Sequence, residues 1–246
     1  MGTSGDSAQQ FTGVAMITGA SSGIGAATAR RLAPTAAGLV LVARREDRLQ
    51  ALCDELECDV QVAACDVRDA DALVSTAAAA IDHLGGIDAL VNNAGIMPIA
   101  SFASLPLEDW NATIDTNVKG VLNGIAAVLP HMLERGTGHI INVSSLAGRR
   151  NFPGAAVYCG TKHAVHAISE GLRSELSERT ARDGNTIRVT VIAPGIVRTE
   201  LVDSITDDRS RQRVQELYDT FEEPLVGDDI AATIAMALTS PTHMEI

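Results

Sequence analysis

The sequence predicts an α/β fold in which a doubly wound parallel sheet carries helices on both of its faces. Short apolar, β-branched segments alternate along the chain with longer segments whose apolar residues recur at helical spacing. The apolar segments are nearly continuous, which is typical of parallel strands that are covered on both faces. Such an alternation implies right-handed crossovers between parallel strands.

The individual elements can be assigned in chain order. The candidate strands are Val14–Thr18, Leu39–Ala43, Val60–Cys65, Ala89–Asn92, His139–Ser144 and Ile187–Ala193. The candidate helices are Ile24–Leu32, Asp47–Leu56, Ala70–His83, Leu107–Leu133, Val157–Glu178 and Asp228–Thr239. Asp47 and Asp69 precede periodic apolar residues, so each is expected to cap the helix that follows it.

The chain is expected to fold as one domain. Its 246 residues and 46% hydrophobic content suffice for a substantial core, and α/β folds of this length are commonly single domains. Residues 1–12 are expected to form a flexible, polar N-terminal arm, and residues 13–246 the folded domain. Segment 196–224 is charged and has little periodicity, so we predict a mobile flap over the site.

The composition excludes several classes of partner. A net charge of −12 argues against nucleic acid and anionic membranes, and no apolar segment approaches the ~20 residues of a membrane-spanning helix. The N-terminus lacks a signal-peptide pattern and the cysteines form no C-x-x-C pair, so a cytoplasmic protein with reduced thiols is expected. No metal site is predicted, because His163 and His166 have no evident third ligand.

A glycine-rich turn, "MITGASSGIG", joins the first strand to the first helix. Gly19, Gly23 and Gly25 are spaced as G-x-x-x-G-x-G, unlike the common dinucleotide pattern G-x-G-x-x-G. A helix N-terminus offers free N–H groups and positive dipole charge, and glycines let a phosphate approach the backbone. The hydroxyls of Ser21 and Ser22 are further donors. From these residues alone, the turn is either a phosphate-binding site or only a tight structural turn.

The end of the second strand reads "LVLVARRED". An acidic residue at this position typically binds the ribose of NAD, whereas arginine accommodates the 2′-phosphate of NADP. Arg44 and Arg45 therefore favour NADP(H), because guanidinium groups pair well with phosphate. The alternative is that both arginines are solvated residues ahead of the helix, with Glu46 partly cancelling their charge.

Tyr158 and Lys162 are four residues apart at the start of a predicted helix, so their side chains share one face. A nearby ammonium favours the phenolate and lowers its pKa from about 10. Lowering it by ~3 units requires about 4 kcal/mol, which one lysine in wet surroundings does not supply. A partly dry cleft and a cationic nicotinamide ring would have to contribute.

Four motifs occur in one order along the chain: "TGASSGIG", "NNAG" at 92–95, "YCGTK" at 158–162 and "PGIVRT" at 194–199. Together they resemble the short-chain dehydrogenase/reductase family over about residues 13–240. The resemblance implies a Rossmann-type sheet of six to seven strands in the order 3-2-1-4-5-6-7. The pattern is most similar to the NADP-dependent subgroup that contains serine 3-dehydrogenase-like and clavaldehyde reductase-like enzymes.

The resemblance implies a set of NADP(H)-binding residues. Asp66 and Val67 would meet the adenine, Asn92 the adenosine ribose, and the segment of Pro194, Val197 and Thr199 the nicotinamide. Asp66 also has a simpler interpretation as a cap on the approach to a helix. The remaining predicted cofactor residues are Gly19, Ser21, Ser22, Gly23, Ile24, Gly25, Arg44, Arg45, Tyr158 and Lys162.

The same resemblance assigns catalytic roles. Tyr158 would exchange the proton of the reacting oxygen, Lys162 would orient the ribose and tune Tyr158, and Asn117 would support a proton relay. Ser145, 13 residues before the tyrosine, would bind the substrate together with Tyr158, with Ser144 as the alternative. The implied reaction is hydride transfer between nicotinamide and a carbonyl or secondary alcohol, most simply the reduction of a ketone or aldehyde.

Several further expectations complete the interpretation. The substrate pocket should draw on Ile96–Ser101, Leu146–Pro153 and Ile196–Pro224, where Arg149 and Arg150 would either meet an anionic substrate or be solvated. A homotetramer is expected, with a dimer as second choice, and the family's seventh strand is expected to be shortened or missing at "SPTHMEI". The alternative function is a catalytically idle NADP sensor, which the intact catalytic set disfavours.

Overall fold

Six parallel strands form the central sheet in the computed structural model, which describes residues 10–104, 106–242 and 244. The strands are β1 (Val14–Thr18), β2 (Gly38–Ala43), β3 (Asp59–Ala64), β4 (Ala89–Asn92), β5 (Thr137–Val143) and β6 (Thr186–Ile192). Their order is β3-β2-β1-β4-β5-β6, and every neighbouring pair is parallel. This confirms the predicted doubly wound sheet, and the described residues add no seventh strand to it.

Helices cover both faces of the sheet. They are α1 (Gly23–Leu32), α2 (Glu46–Cys53), α3 (Ala70–Leu84), α4 (Leu107–Ile114), α5 (Gly120–Arg135), α6 (Ala156–Asp183), α7 (Asp208–Asp219) and α8 (Gly227–Thr239). Ala15 and Ile17 of β1 join the core beneath α1 and α8, whereas Val14 and Met16 join the core beneath α3, α5 and α6. Because successive strand residues face opposite sides, β1 must be apolar on both faces, whereas the edge strand β3 is only partly buried.

Of the two helix N-caps predicted from the sequence, one is confirmed and one is wrong. Asp69 caps α3 by accepting a hydrogen bond from Ala72 N at 3.0 Å, as expected. The expectation that Asp47 caps α2 is wrong, because α2 begins at Glu46 and Arg45 stands at the N-cap. Asp47 lies instead in the first helical turn, where its charge favours the positive end of the helix dipole.

The predicted helix 107–133 contains a π-helical turn, Asp115–Lys119, between α4 and α5. The sequence does not indicate this turn, because its residues continue the helical pattern of the segments on both sides. Asn117 lies at its centre and is buried. The π-helical turn thus contains Asn117, the one catalytic residue that was predicted in this helix.

Segment 196–224 is more regular than predicted. Val197–Arg198 (β7) pairs in parallel with Leu225–Val226 (β8), and α7 lies between them. Asp207 caps α7 by accepting a hydrogen bond from Ser210 N at 2.7 Å. The helix was missed because its apolar residues, Val214, Leu217 and Tyr218, are few among charged ones.

The predicted N-terminal arm lies largely outside the described residues, which begin at residue 10. Within the described part of the chain, no helix is long and apolar enough to cross a membrane, and no group of three or more His, Cys, Asp or Glu side chains could hold a metal ion.

Candidate active site

A cavity of about 1360 Å³ lies at the carboxyl ends of the strands, where parallel α/β sheets bind their ligands. It receives residues from the segments that follow all six strands. Most of the predicted site residues line it: Gly19, Ser21, Ser22, Gly23, Ile24, Arg44, Arg45, Asp66, Val67, Ser145, Tyr158, Lys162, Pro194, Val197 and Thr199. Gly25, Asn92 and Asn117 do not.

The glycine turn brings the N-terminus of α1 to this cavity. Gly19 has φ +67°, and a Cβ there would lie 2.8 Å from the Ala94 Cα. A Cβ on Gly25 would lie 2.3 Å from the Gly19 carbonyl oxygen, so Gly25 serves the packing of α1 against the turn. Ser22 occupies the N-cap without a side-chain cap bond, and the first turn of α1 contains no acidic residue. The N–H groups of this turn are thus available to an anion, which favours phosphate binding over a purely structural turn.

Asn92 and Asn93 of the "NNAG" motif have different surroundings. Asn92 is 2% exposed, and its Nδ2 donates to Asn142 Oδ1 at 2.9 Å in the core. Asn93 lines the cavity, and its Nδ2 donates to the Thr18 and Gly19 carbonyl oxygens at 3.0 and 3.3 Å. Asn93 therefore fixes the glycine turn, a role that its position beside Asn92 did not reveal.

Asp66 and Val67 line the cavity in the segment that follows β3. The Arg68 guanidinium binds the Asp66 carboxylate at 2.6 Å and holds the pKa of that carboxyl below its usual range. Val67 is buried at 7% exposure. Arg44 also lines the cavity, and its charge contributes to the low pKa of Asp66.

Arg45 lies against the glycine turn. Its Nη2 donates to Ser21 Oγ at 3.0 Å and to Ser22 Oγ at 2.8 Å. Its Nη1 pairs with Glu200 at 2.9 Å, and Arg48 pairs with the same carboxylate at 2.6 Å. Sequence reasoning missed Arg48 and Glu200, since Glu200 is 155 residues from Arg45 and no local pattern connects them.

Tyr158 and Lys162 lie in the first turns of α6, and each is 6% exposed. Lys162 Nζ lies 5.9 Å from the Tyr158 ring centroid and donates to the Val143 carbonyl oxygen at 2.9 Å. Ser145 lies beside Tyr158 and acts to lower the pKa of its hydroxyl, whereas Ser144 Oγ turns inward and donates to the Lys162 carbonyl oxygen at 3.1 Å. Of the two candidate serines, Ser145 is thus the one that meets the tyrosine.

Burial dominates the acidity of both groups. It raises the pKa of Tyr158 to about 12, although the neighbouring Ser145 side chain acts in the opposite direction. Burial also lowers the pKa of Lys162 to about 8. The expected lowering of the tyrosine pKa by Lys162 is not found in this structure, because desolvation of the phenolate is the largest influence and Lys162 is not among the groups that shift this pKa. Tyr158 is therefore a neutral phenol at pH 7.

Asn117 lies behind the catalytic lysine. Its Oδ1 accepts a hydrogen bond from Ile96 N and its Nδ2 donates to the Ile96 carbonyl oxygen, both at 2.9 Å. A Cβ on Gly95 would lie 3.3 Å from Asn117 Oδ1 and 3.7 Å from Lys162 Nζ. Asn117 thus anchors the backbone segment that runs past the Lys162 ammonium.

The substrate end of the cavity is formed by the three segments expected from the sequence, and α7 covers part of it. Arg150 lines this region, and Arg149 does not. Tyr218 of α7 is 7% exposed, lines the cavity and packs in the same apolar cluster as Tyr158. Sequence reasoning did not identify Tyr218, because it lies on the helix that was missed.

Comparison with known proteins agrees with this arrangement. A family model described as short chain dehydrogenase matches residues 13–210. The chain belongs to this family. An uncharacterized oxidoreductase of Staphylococcus saprophyticus is 45% identical over 234 residues, covering 95% of this chain and 92% of the relative. This short-chain dehydrogenase is also 37% identical to serine 3-dehydrogenase of Rhizobium radiobacter over 237 residues, covering 96% and 92% of the two chains.

A solved structure gives the same result for the fold. The closed form of a serine dehydrogenase complexed with NADP⁺ superposes with a TM-score of 0.85 at 34% identity, covering 95% of this chain and 92% of that one. The chain is thus an oxidoreductase of the short-chain dehydrogenase family with a Rossmann-type fold.

Proposed function

We propose that this protein is an NADP(H)-dependent oxidoreductase that reduces a ketone or aldehyde to the corresponding alcohol. The observation that carries the proposal is that a buried tyrosine, Tyr158, lines one cavity together with Ser145, Lys162 and the open N-terminus of α1. A dinucleotide and a carbonyl substrate would fit into one continuous space there.

The residues at the nucleotide end fit a phosphorylated dinucleotide. The uncapped first turn of α1 supplies N–H donors for a pyrophosphate, and Arg44 and Arg45 follow β2 at the position that distinguishes NADP from NAD. When bound, the nicotinamide supplies the hydride to the carbonyl carbon or takes it up in reverse. NADP⁺ in the serine dehydrogenase structure described above is consistent with this assignment.

The proton chemistry follows from the catalytic pair. With its pKa raised to about 12, Tyr158 holds its proton at neutral pH and can donate it to a substrate oxygen that gains negative charge. Ser145 can donate a second hydrogen bond to the same oxygen. Lys162, with its pKa near 8, lies beside the segment anchored by Asn117 and can return a proton to Tyr158.

The direct test is incubation with NADPH and a panel of ketones and aldehydes while NADPH absorbance is followed. Loss of absorbance with at least one carbonyl compound supports the proposal, and Tyr158→Phe should reduce turnover by ~10²–10⁴-fold while NADP⁺ binding stays within about twofold. Binding of NADPH without turnover across the panel would favour the alternative of a catalytically idle NADP sensor. No specific observation supports that alternative.

The cytoplasmic location and the homotetramer, with a dimer as second choice, remain predictions.

A further inference from the structure

The carboxylate of Glu200 lies on the two arginines nearest the glycine turn. It accepts hydrogen bonds from Arg45 Nη1 at 2.9 Å and from Arg48 Nη1 at 2.6 and 2.8 Å. Both guanidinium groups hold the pKa of this carboxyl below its usual range, so it is ionised at neutral pH. Glu200 follows Thr199, which lines the cavity against Gly23.

This contact takes up much of the donor capacity of Arg45. A guanidinium has five N–H groups, and those on Nε and Nη2 already bind the hydroxyls of Ser21 and Ser22, at 2.8–3.2 Å. Nη1 is directed at Glu200. A phosphate that approaches the end of β2 would therefore meet a guanidinium that is already shared with an ionised carboxylate.

We propose that Glu200 is a specificity-determining residue that competes with the 2′-phosphate of NADP(H) for Arg45 and Arg48. This inference rests on the proposed function, since it concerns the same nucleotide. Glu200 holds the preference for NADP(H) over NAD(H) below the level that the arginines alone would give. NAD(H) has no 2′-phosphate, so its binding is insensitive to the competition.

The expected size of the effect follows from the exposure of the groups. The side chains of Arg45, Arg48 and Glu200 are 42%, 44% and 43% exposed, and ion pairs at such sites are weakened by solvent. Removal of the carboxylate charge should tighten NADP⁺ binding about fivefold, which corresponds to about 1 kcal/mol. The dissociation constant of NAD⁺ should change by less than about twofold.

The variant Glu200→Gln keeps the shape of the side chain and removes its charge. Glu46→Gln is the matched control, because Glu46 is an exposed carboxylate adjacent to Arg45 that forms no ion pair within the described residues. The dissociation constants of NADP⁺ and NAD⁺ are measured by isothermal titration calorimetry for all three proteins. The gain in Glu200→Gln should shrink in 1 M salt, where charges are screened beyond ~3 Å.

Three results overturn the inference: unchanged or weaker NADP⁺ binding in Glu200→Gln, equal gains for both nucleotides, or the same gain in Glu46→Gln. Thermal unfolding followed by circular dichroism verifies that both variants are folded. The proposed function is tested separately with the wild-type protein. If that protein binds neither nucleotide, both the proposed function and this inference are contradicted before any variant is made.

Discussion

Lys162 is a buried ammonium, and its replacement by methionine should stabilise the protein while it abolishes the reaction. Burial lowers its pKa from 10.5 to about 8. Each pKa unit corresponds to ~1.4 kcal/mol, so keeping this group charged below pH 8 costs the folded state about 3 kcal/mol. The lost hydrogen bond to the Val143 carbonyl oxygen offsets ~1–2 kcal/mol of the gain. A net stabilisation of about 1–2 kcal/mol is expected at pH 7.

The pH dependence gives the sharper test. Below pH 8 the lysine is protonated in both the folded and the unfolded protein, and the full cost applies. Between pH 8 and 10.5 the folded protein releases this proton while the unfolded chain keeps it, so wild-type stability rises with pH. The advantage of Lys162→Met should therefore be complete at pH 7 and largely lost by pH 10.

Urea unfolding followed by circular dichroism at pH 7 and pH 10 measures both effects, and the NADPH assay measures activity. The chain offers one matched control, since Lys119 is its only other lysine. The Lys119 side chain is 64% exposed and pairs with Asp115 at 2.7 Å, so Lys119→Met should change stability by less than about 1 kcal/mol. A Lys162→Met variant that is less stable than wild type at pH 7, or whose advantage is equal at both pH values, refutes the reasoning.

Four further substitutions test other parts of the site. Arg44→Asp should shift the ratio of kcat/KM values toward NADH, and an unchanged ratio counts against the assignment of the 2′-phosphate position. Gly25→Ala places a Cβ 2.3 Å from the Gly19 carbonyl oxygen, so it should lower the free energy of unfolding by ~1–3 kcal/mol and weaken NADP⁺ binding; calorimetry that shows wild-type affinity would contradict this. Ser145→Ala should lower kcat by ~10²-fold, whereas Ser144→Ala should leave kcat within a few-fold and cost ~1 kcal/mol of stability. Equal loss of kcat in both serine variants would show that the wrong serine has been assigned to the substrate.

The sheet was predictable because its inner strands β1, β2 and β4 are buried on both faces and therefore occur as nearly continuous apolar segments between helices. The glycine turn and the pair Tyr158–Lys162 were predictable for a related reason, since their chemistry depends on spacing within a few residues. Helix α7 was not, because only two of its apolar side chains, Val214 and Tyr218, pack into an apolar cluster, while Leu217 is exposed. Its start was nevertheless encoded in Asp207, an N-cap ahead of Ser210.

The features that the sequence did not predict depend on contacts between distant segments of the chain. Nothing near Glu200 in the sequence indicates that it meets Arg45 and Arg48, since only the path of the chain after β6 brings them together. The pKa of Tyr158 was likewise beyond a local pattern. Spacing correctly placed a lysine beside it, but its pKa depends on how much water the surrounding cluster, Tyr218 included, excludes.

The π-helical turn at Asp115–Lys119 determines how α4 and α5, which it joins, are oriented relative to each other. One additional residue in a turn rotates everything after it by ~100° relative to an uninterrupted α-helix. The N-terminal half, α4, packs against α6, whereas the C-terminal half, α5, packs against α3. The additional residue of the π-helical turn thus lets α4 and α5 pack against different helices. Deletion of one residue within the turn would rotate α5 relative to α4, so that both packing contacts could not form together.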